Sequence, residues 1–290
     1  MQQCLQECLQ DTNGTQQAAT GNTEKVSTSD DGKVLNIYCW NEEFKSRITD
    51  HYPDYKEVDA THGKIGDVEV VWNITPSDDN AYQNNLDTTL LNQNDAQADD
   101  KIDLFLVEAD NALKYVDTDY TMPIKDLGIT DEDLSKQYQY TKDIVTDSNG
   151  TLKGVSWQGC PGVLFYNREA AKEVLGTDDP DEVQKYVKDW DTFNDTAKKM
   201  KDAGYKMTSS VNDSYRVYSN NVSTKWVTDG KVSVDDNIMK WVDDSKKLVD
   251  AGETGTFDMW SDDWSKGFYP EGKVFCYFGP AWLVNFSMAA

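Results

Sequence analysis

The chain has 290 residues, with 28 Lys+Arg against 52 Asp+Glu and a formal net charge of −24. Domain cores stop growing beyond roughly 250–300 residues, so this length accommodates one large or two ordinary domains. Acidic disordered chains are poor in aromatics, whereas 9 Trp and 15 Tyr predict a folded chain. The strong negative field repels phosphate backbones, so nucleic acid is not an expected partner.

No apolar run approaches the roughly 18 residues a membrane span needs. The opening MQQCLQECLQ lacks the basic start and apolar stretch of a signal peptide. Residues 1–32 are rich in Gln, Thr, Ser, Asn, Asp and Gly without an apolar period. That composition cannot offset its ordering entropy and predicts a disordered leader or tether. Of the five cysteines, Cys39 and Cys276 sit in apolar strand-like runs, where a free buried thiol is expected.

The apolar run Val34 to Trp40 predicts a buried strand, followed by a helix with Phe44 and Ile48 four apart. Val68 to Trp72 reads as a second strand. A helix from about Asp79 to Gln93 follows, with Tyr82, Leu86, Leu90 and Leu91 on one face. Ile102 to Val107 is the third strand. Alternating strands and helices at these lengths define βαβ units and a parallel sheet, whose ligands sit beyond the carboxyl ends of the strands. Those ends carry Trp40-Asn41-Glu42-Glu43, then Asn73 to Asp78, then Glu108-Ala109-Asp110.

From Thr121 to Ser156 the sequence turns to loops and short extended pieces, and Gly162 to Asn167 is the next strand. The chain is then mostly helical. Asp189 to Ala203 carries Trp190, Phe193, Ala197 and Met200 at helical spacing, with Gly204 as its stop. Asp235 to Ala251 repeats the plan with Ile238, Trp241, Val242 and Leu248, stopping at Gly252. Lys273 to Phe278 is a last strand, and Gly279-Pro280 leads into a helical start at Ala281.

Catalytic and metal chemistry find little support. The two histidines, His51 and His62, lie in a polar stretch and read as solvated; no HExxH, CxxC or EF-hand pattern occurs. No glycine-rich phosphate loop follows a strand, so no nucleotide cofactor is expected. No metal, cofactor or catalytic residue is assigned. Glycoside hydrolysis needs two carboxyls facing across a sugar, and Glu42, Glu43, Glu108 and Asp110 fall at strand ends. In a chain this acidic such a cluster is cheap, and carboxylates also bind sugar hydroxyls without doing chemistry. The sharper signal is aromatic. Sugars present apolar C–H faces ringed by hydroxyls, so their sites pair flat rings with polar groups. Trp40, Trp157 and Trp282 each follow a strand beside polar residues; a core place is the alternative for each. Trp72, Trp190 and Trp241 are assigned to the core from their phase.

Five segments carry a family resemblance when taken together and in order. They are the strand ending in Trp40-Asn41-Glu42; Asp103 to Asp110; Gly154-Val155-Ser156-Trp157 followed by Gly162 to Asn167; Asp189-Trp190-Asp191-Thr192-Phe193; and Gly272 to Trp282. The layout resembles the extracellular solute-binding proteins of carbohydrate ABC transporters, the group containing the maltose-binding protein. The resemblance implies an α/β, two-lobed periplasmic-binding-protein-like fold with a hinge and an interlobe cleft. It further implies C-terminal truncation, since family members are longer and end in further helices. The expected domains are a leader at 1–32 and an N-terminal lobe of 33–117 rejoined by 273–290. A crossover and hinge at 118–161 and a helix-rich C-terminal lobe at 162–272 complete them.

Carried over to this sequence, the resemblance makes Asp110 a carboxylate for sugar hydroxyls and puts Glu42 and Glu43 among polar ligands after the first strand. Trp282 becomes a stacking platform and Tyr215 a second stacking aromatic. With Trp40, Asn41 and Trp157 these are the expected substrate-binding residues. The implied function is capture of a carbohydrate, delivered by cleft closure to a membrane permease; the protein is expected to be a bacterial monomer and not an enzyme. A carbohydrate-active hydrolase and a peptide or amino-acid binder of the same fold are the alternatives. Leu5-Gln6-Glu7-Cys8 has the Leu and Cys of a lipid-attachment motif, which places the expected protein on the outer face of the membrane or in the periplasm.

Overall fold

The computed structural model describes residues 33–288, so the expected leader and its Cys4 and Cys8 lie outside the described residues. The chain divides into two compact units, one up to Trp157 and one from Gln158 onward.

The first unit is built on a five-stranded sheet: β1 (Val34–Cys39), β2 (Tyr55–Glu57), β3 (His62–Ile65), β4 (Val68–Ile74) and β5 (Leu104–Phe105). Its strand order is β2-β3-β4-β1-β5. β4, β1 and β5 run parallel, with Ile37 opposite Trp72 on one side and Leu104 on the other. Helix α1 (Glu43–His51) follows β1, α2 (Ala81–Leu91) follows β4, and α3 (Ala109–Val116) follows β5, as βαβ connections require. The pleat divides the side chains between two clusters. Ile37, Cys39, Val70 and Trp72 pack with Phe44 and Ile48 of α1, while Tyr38 and Phe105 pack with Tyr82, Leu86 and Leu90 of α2 and Tyr115 of α3.

Four expectations change here. Strand β5 spans two residues rather than the six from Ile102, although Ile102 and Leu106 are buried. Leu91 is 74% exposed: a helix turns about 100° per residue, so Leu90 and Leu91 cannot both face the sheet. The β2–β3 hairpin, whose β3 pairs antiparallel with β4, occupies a stretch read only as polar. Its anchor is Tyr55, whose hydroxyl accepts a 2.9 Å hydrogen bond from Trp72 Nε1 inside the core. Finally, residues 118–157, expected as crossover, belong to the first unit, including the short helix α4 (Gln139–Asp143).

The second unit contains β6 (Gly162–Tyr166), α5 (Arg168–Leu175), α6 (Pro180–Val187), α7 (Trp190–Asp202), α8 (Tyr215–Ser219), the small hairpin β7 (Val227–Thr228) and β8 (Lys231–Val232), α9 (Asp236–Asp250), α10 (Asp262–Ser265), β9 (Cys276–Pro280) and α11 (Leu283–Phe286). Helix α7 starts with a reciprocal capping box: Thr192 N–H donates to Asp189 Oδ1 at 2.8 Å and Asp189 N–H to Thr192 Oγ1 at 3.3 Å. It ends where Gly204 takes φ +86°, a left-handed conformation that favours glycine. Asp235 caps α9 and ties down the 223–224 loop, accepting from Asn237, Ser223 and Thr224 N–H at 2.8–2.9 Å. These backbone donors hold its carboxyl down at about 2.

The expected return of 273–290 to the first lobe is corrected by β9. Its residues pair antiparallel with β6, Tyr166 opposite Cys276 and Gly162 opposite Pro280. Phe275 and Cys276 N–H also donate to Lys206 and Met207 carbonyls at 2.8 and 2.9 Å. The reason is hydrophobic: Phe275 and Cys276 close a core made by Ala170, Ala171, Val183, Phe193, Ala197 and Met200. Val274 and Tyr277 close a second one around Trp264 and Leu283. On α9, Ile238 is buried but Val242 is exposed and Trp241 only half-buried, its Nε1 donating to the Val211 carbonyl at 3.2 Å. The expected core face of that helix is therefore narrower. Cys39 and Cys276 are free and buried, as their strand positions imply.

Candidate binding surfaces

On the first unit the carboxyl ends of β4, β1 and β5 form one edge, and backbone bonds beyond the ladder fix its loops. Thr75 N–H donates to the Cys39 carbonyl at 3.0 Å and Leu106 N–H to that of Tyr38 at 2.9 Å. The Tyr82 hydroxyl reaches the Tyr38 and Leu106 carbonyls at 3.0 and 2.6 Å, crossing the seam between the two strands. Trp40 leaves β1 here, half-buried, its ring 5.6 Å from that of Tyr82 in an edge-to-face arrangement. Asn41 Oδ1 accepts from Glu43 N–H at 3.0 Å, and the Glu42 carbonyl accepts from Ser46 N–H at 2.9 Å to start α1. This Asx-type turn leaves Glu42 exposed and Glu43 half-buried beside Arg47 at 3.4 Å.

Trp157 joins this edge from far along the chain. Its ring lies 5.5 Å from that of Phe44 in the first turn of α1, and the residue is 36% exposed. Asp110 is exposed in the first turn of α3, one strand over, where the helix N-terminus favours a negative charge. Trp40, Asn41, Glu42, Glu43 and Trp157 therefore share one contiguous edge, and Asp110 comes from its neighbouring strand.

On the second unit the expected residues are Tyr215 and Trp282, both half-buried. Tyr215 opens α8 and packs edge-on against Trp241, centroids 4.9 Å apart. Trp282 follows Gly279-Pro280 and lies 5.7 Å from Trp260 with 24° between the planes. What joins the two was missed in the sequence. Asp213, two residues before Tyr215, is 1% exposed. It accepts from Trp264 Nε1 at 2.7 Å and from Ser210 N–H at 2.8 Å, and Trp264 in turn contacts Trp260 at 4.9 Å. Burial pushes the Asp213 carboxyl up to about 6 despite these donors. The available signal was the spacing Trp260-x-x-x-Trp264 with Ser261 between, an N-cap followed three residues on by an apolar anchor.

Two α/β units with aromatic rings and carboxyl-bearing loops near strand ends form the architecture of a two-lobed solute-binding protein. The family model described as bacterial extracellular solute-binding protein matches residues 55–288. The chain belongs to this family of solute-binding proteins. Among solved structures it is similar to an extracellular solute-binding protein of family 1, at 18% identity and a TM-score of 0.66, over 87% of this chain and 61% of that one. It is also similar to the galacto-N-biose-/lacto-N-biose I-binding protein of an ABC transporter from Bifidobacterium longum, solved with lacto-N-biose. There the identity is 17% and the TM-score 0.61, over 90% of this chain and 63% of that one. An ABC transporter associated binding protein from B. animalis subsp. lactis, solved with β-1,6-galactobiose, gives 19% and 0.56, over 87% and 58%. The chain thus spans about three fifths of the length of these proteins. Comparison with curated proteins gives no match.

Proposed function

We propose that this protein captures a carbohydrate, an oligosaccharide in our reading, and delivers it to the membrane permease of an ABC transporter. The observation that carries the proposal is a partly exposed indole on each unit: Trp157 on the first, packed on Phe44 two residues after the exposed Glu42, and Trp282 on the second. An indole face stacks on the C–H face of a sugar while carboxylates and amides accept its hydroxyls. The sugar complexes of the similar structures support the same reading. In it, Trp40, Asn41, Glu42, Glu43, Asp110, Trp157, Tyr215 and Trp282 bind the ligand. Binding shifts a conformational equilibrium that the permease senses. The protein acts as a monomer, either tethered by a lipid at the outer face of the cell membrane or in the periplasm; the Leu and Cys of Leu5-Gln6-Glu7-Cys8 support the tethered form.

Thermal melting against a panel of oligosaccharides, amino acids and short peptides tests the proposal. A ligand at 100 times its Kd adds about 2.7 kcal/mol of stability, so a stabilising saccharide is the expected result. A response to peptides alone would overturn it.

A further inference from the structure

Among the described residues the chain passes from the first unit to the second once, between Trp157 and Gln158. The placement of β9 decides this. Had 273–288 returned to the first unit, the second would be an insertion whose two ends lie in its neighbour. Instead β6, the first strand of the second unit, pairs with β9, its last, from Gly162 opposite Pro280 to Tyr166 opposite Cys276. The second unit is thereby closed by its own strands.

The cores follow the same division. The clusters around Trp72 and around Tyr82 and Leu86 are drawn from the first unit. Those around Phe193, Met200 and Phe275, and around Trp264 and Leu283, are drawn from the second. The described stretches span about 125 and 130 residues, a size at which one continuous stretch sustains its own core.

The connection between them is short and carries no core side chain. On one side Gln137 Nε2 donates to the Ser156 carbonyl at 2.7 Å, and the Trp157 ring lies against that of Phe44. On the other side Gly162 is already in the β6–β9 ladder. Between the two stand Gln158, Gly159, Cys160 and Pro161, outside any helix or strand and none of them buried.

We infer that the two units are separately stable domains: each unfolds in its own cooperative transition, and unfolding one leaves the other folded. The separation is a property of the chain itself and does not depend on the carbohydrate reading. Its consequence for binding is that the edge carrying Trp40, Asn41, Glu42, Glu43 and Trp157 persists when the second unit is lost.

The test is scanning calorimetry of the 290-residue chain and two variants, one in each core: Leu86→Ala on α2, where Leu86 is 1% exposed, and Met200→Ala on α7, where Met200 is 0% exposed. Truncating a core side chain destabilises the structure around it, and in a domain of this size it should lower the melting midpoint by about 5 °C or more. The expected result is two transitions, of which Leu86→Ala lowers one and Met200→Ala the other, each leaving the second midpoint unmoved. Where the midpoints of the unaltered protein coincide, the variants draw them apart. Hydrogen exchange assigns each transition: between the two midpoints of Leu86→Ala, amides within 34–116 exchange while those within 168–250 stay protected. If Leu86→Ala leaves the first unit unfolded from the outset, one transition and the protection of 168–250 should remain, as separate domains require. A single transition in all three proteins that both substitutions lower alike overturns the inference, as does loss of protection in both units together in either variant.

Discussion

Trp264 Nε1 donates to Asp213 Oδ1 at 2.7 Å with both side chains buried. The pair joins the loop before α8 to α10, and Trp264 passes the connection on: its carbonyl accepts from Ser209 Oγ at 3.1 Å and from the Tyr277 hydroxyl at 2.9 Å. A carboxylate in this position is satisfied by hydrogen bonds yet shut away from water. The same network that joins Asp213 to Trp260 and Trp282 therefore contains a carboxyl that burial pushes up to about 6.

That carboxyl gives stability a specific pH dependence. Its value rises from 3.8 to about 6 on folding, chiefly through desolvation, so the folded state holds a proton that the unfolded state has released. The favourable contribution is complete below about pH 4 and is lost as pH rises through 6, a difference of about 3 kcal/mol. With many other acidic groups titrating, the signal is the difference between this protein and Asp213→Asn. Urea unfolding at pH 4, 5, 6, 7 and 8 should show the two proteins diverging in slope between 4 and 6 and running parallel above 7. Parallel curves throughout would mean that Asp213 titrates normally.

In the first unit, Tyr55→Phe removes the acceptor of Trp72 Nε1 while keeping the ring. A buried donor left unpaired costs about 1–3 kcal/mol, and that loss should appear in chemical unfolding with ligand affinity intact. Gly63 offers an independent check, because a Cβ there would come within 2.3–2.4 Å of the Tyr55 ring. Gly63→Ala should destabilise by about 1–3 kcal/mol through overpacking. If either variant is as stable as the parent, the hairpin is not fastened through Tyr55.

The parallel core of the first unit was legible in the sequence because its strands are continuous apolar runs and α2 has a clear 3.6-residue stripe. The hairpin at 55–65 was not. Its strands span three and four residues, and their contribution to the core is concentrated in Tyr55 and Gly63, too few positions to make a period. The capped helices of the second unit could be placed from Asp189, Gly204 and Asp235 alone, since capping chemistry is local. The partner of β9 could not, because a strand like Cys276–Pro280 carries no label for its neighbour, and the resemblance assigned it to the wrong unit. At the surfaces, Trp40 and Trp282 follow strands as expected, whereas Trp157, expected at a strand end, follows no strand among the described residues. Asp213 stayed hidden because one Asp among so many acidic residues reveals its burial only in three dimensions.

The carboxyls at the first unit's edge should bind without reacting. Glu42→Gln and Asp110→Asn each remove a charged acceptor at an exposed position, and each is expected to weaken saccharide binding by about 1.5–3 kcal/mol where the lost bond was to the charged group. Incubated with the oligosaccharide that binds best, the parent protein should return it unchanged by chromatography. Catalytic hydrolysis by the parent that either substitution abolishes would replace the binding reading with the hydrolase one.

The neighbours Trp282 and Leu283 separate recognition from folding within one dipeptide. Leu283 is 0% exposed and belongs to the cluster of Trp264, Val274 and Tyr277, so Leu283→Ala removes core volume that cannot readily collapse and should cost about 2–5 kcal/mol of stability. Trp282 lies at the margin of that cluster, half-buried, with its ring against Trp260 and Phe286. If the ring is a platform, Trp282→Ala costs about 2 kcal/mol or more in saccharide affinity, as aromatic anchors do. Its stability loss then stays well short of the roughly 3–5 kcal/mol typical of a core Trp. Each variant is measured twice, by chemical unfolding and by titration at a temperature where both remain folded. The expected pattern is crossed: affinity lost in Trp282→Ala, stability lost in Leu283→Ala. A stability loss of core size in Trp282→Ala with affinity retained would put that ring in the core and shift the search for the stacking face to Tyr215 and Trp157.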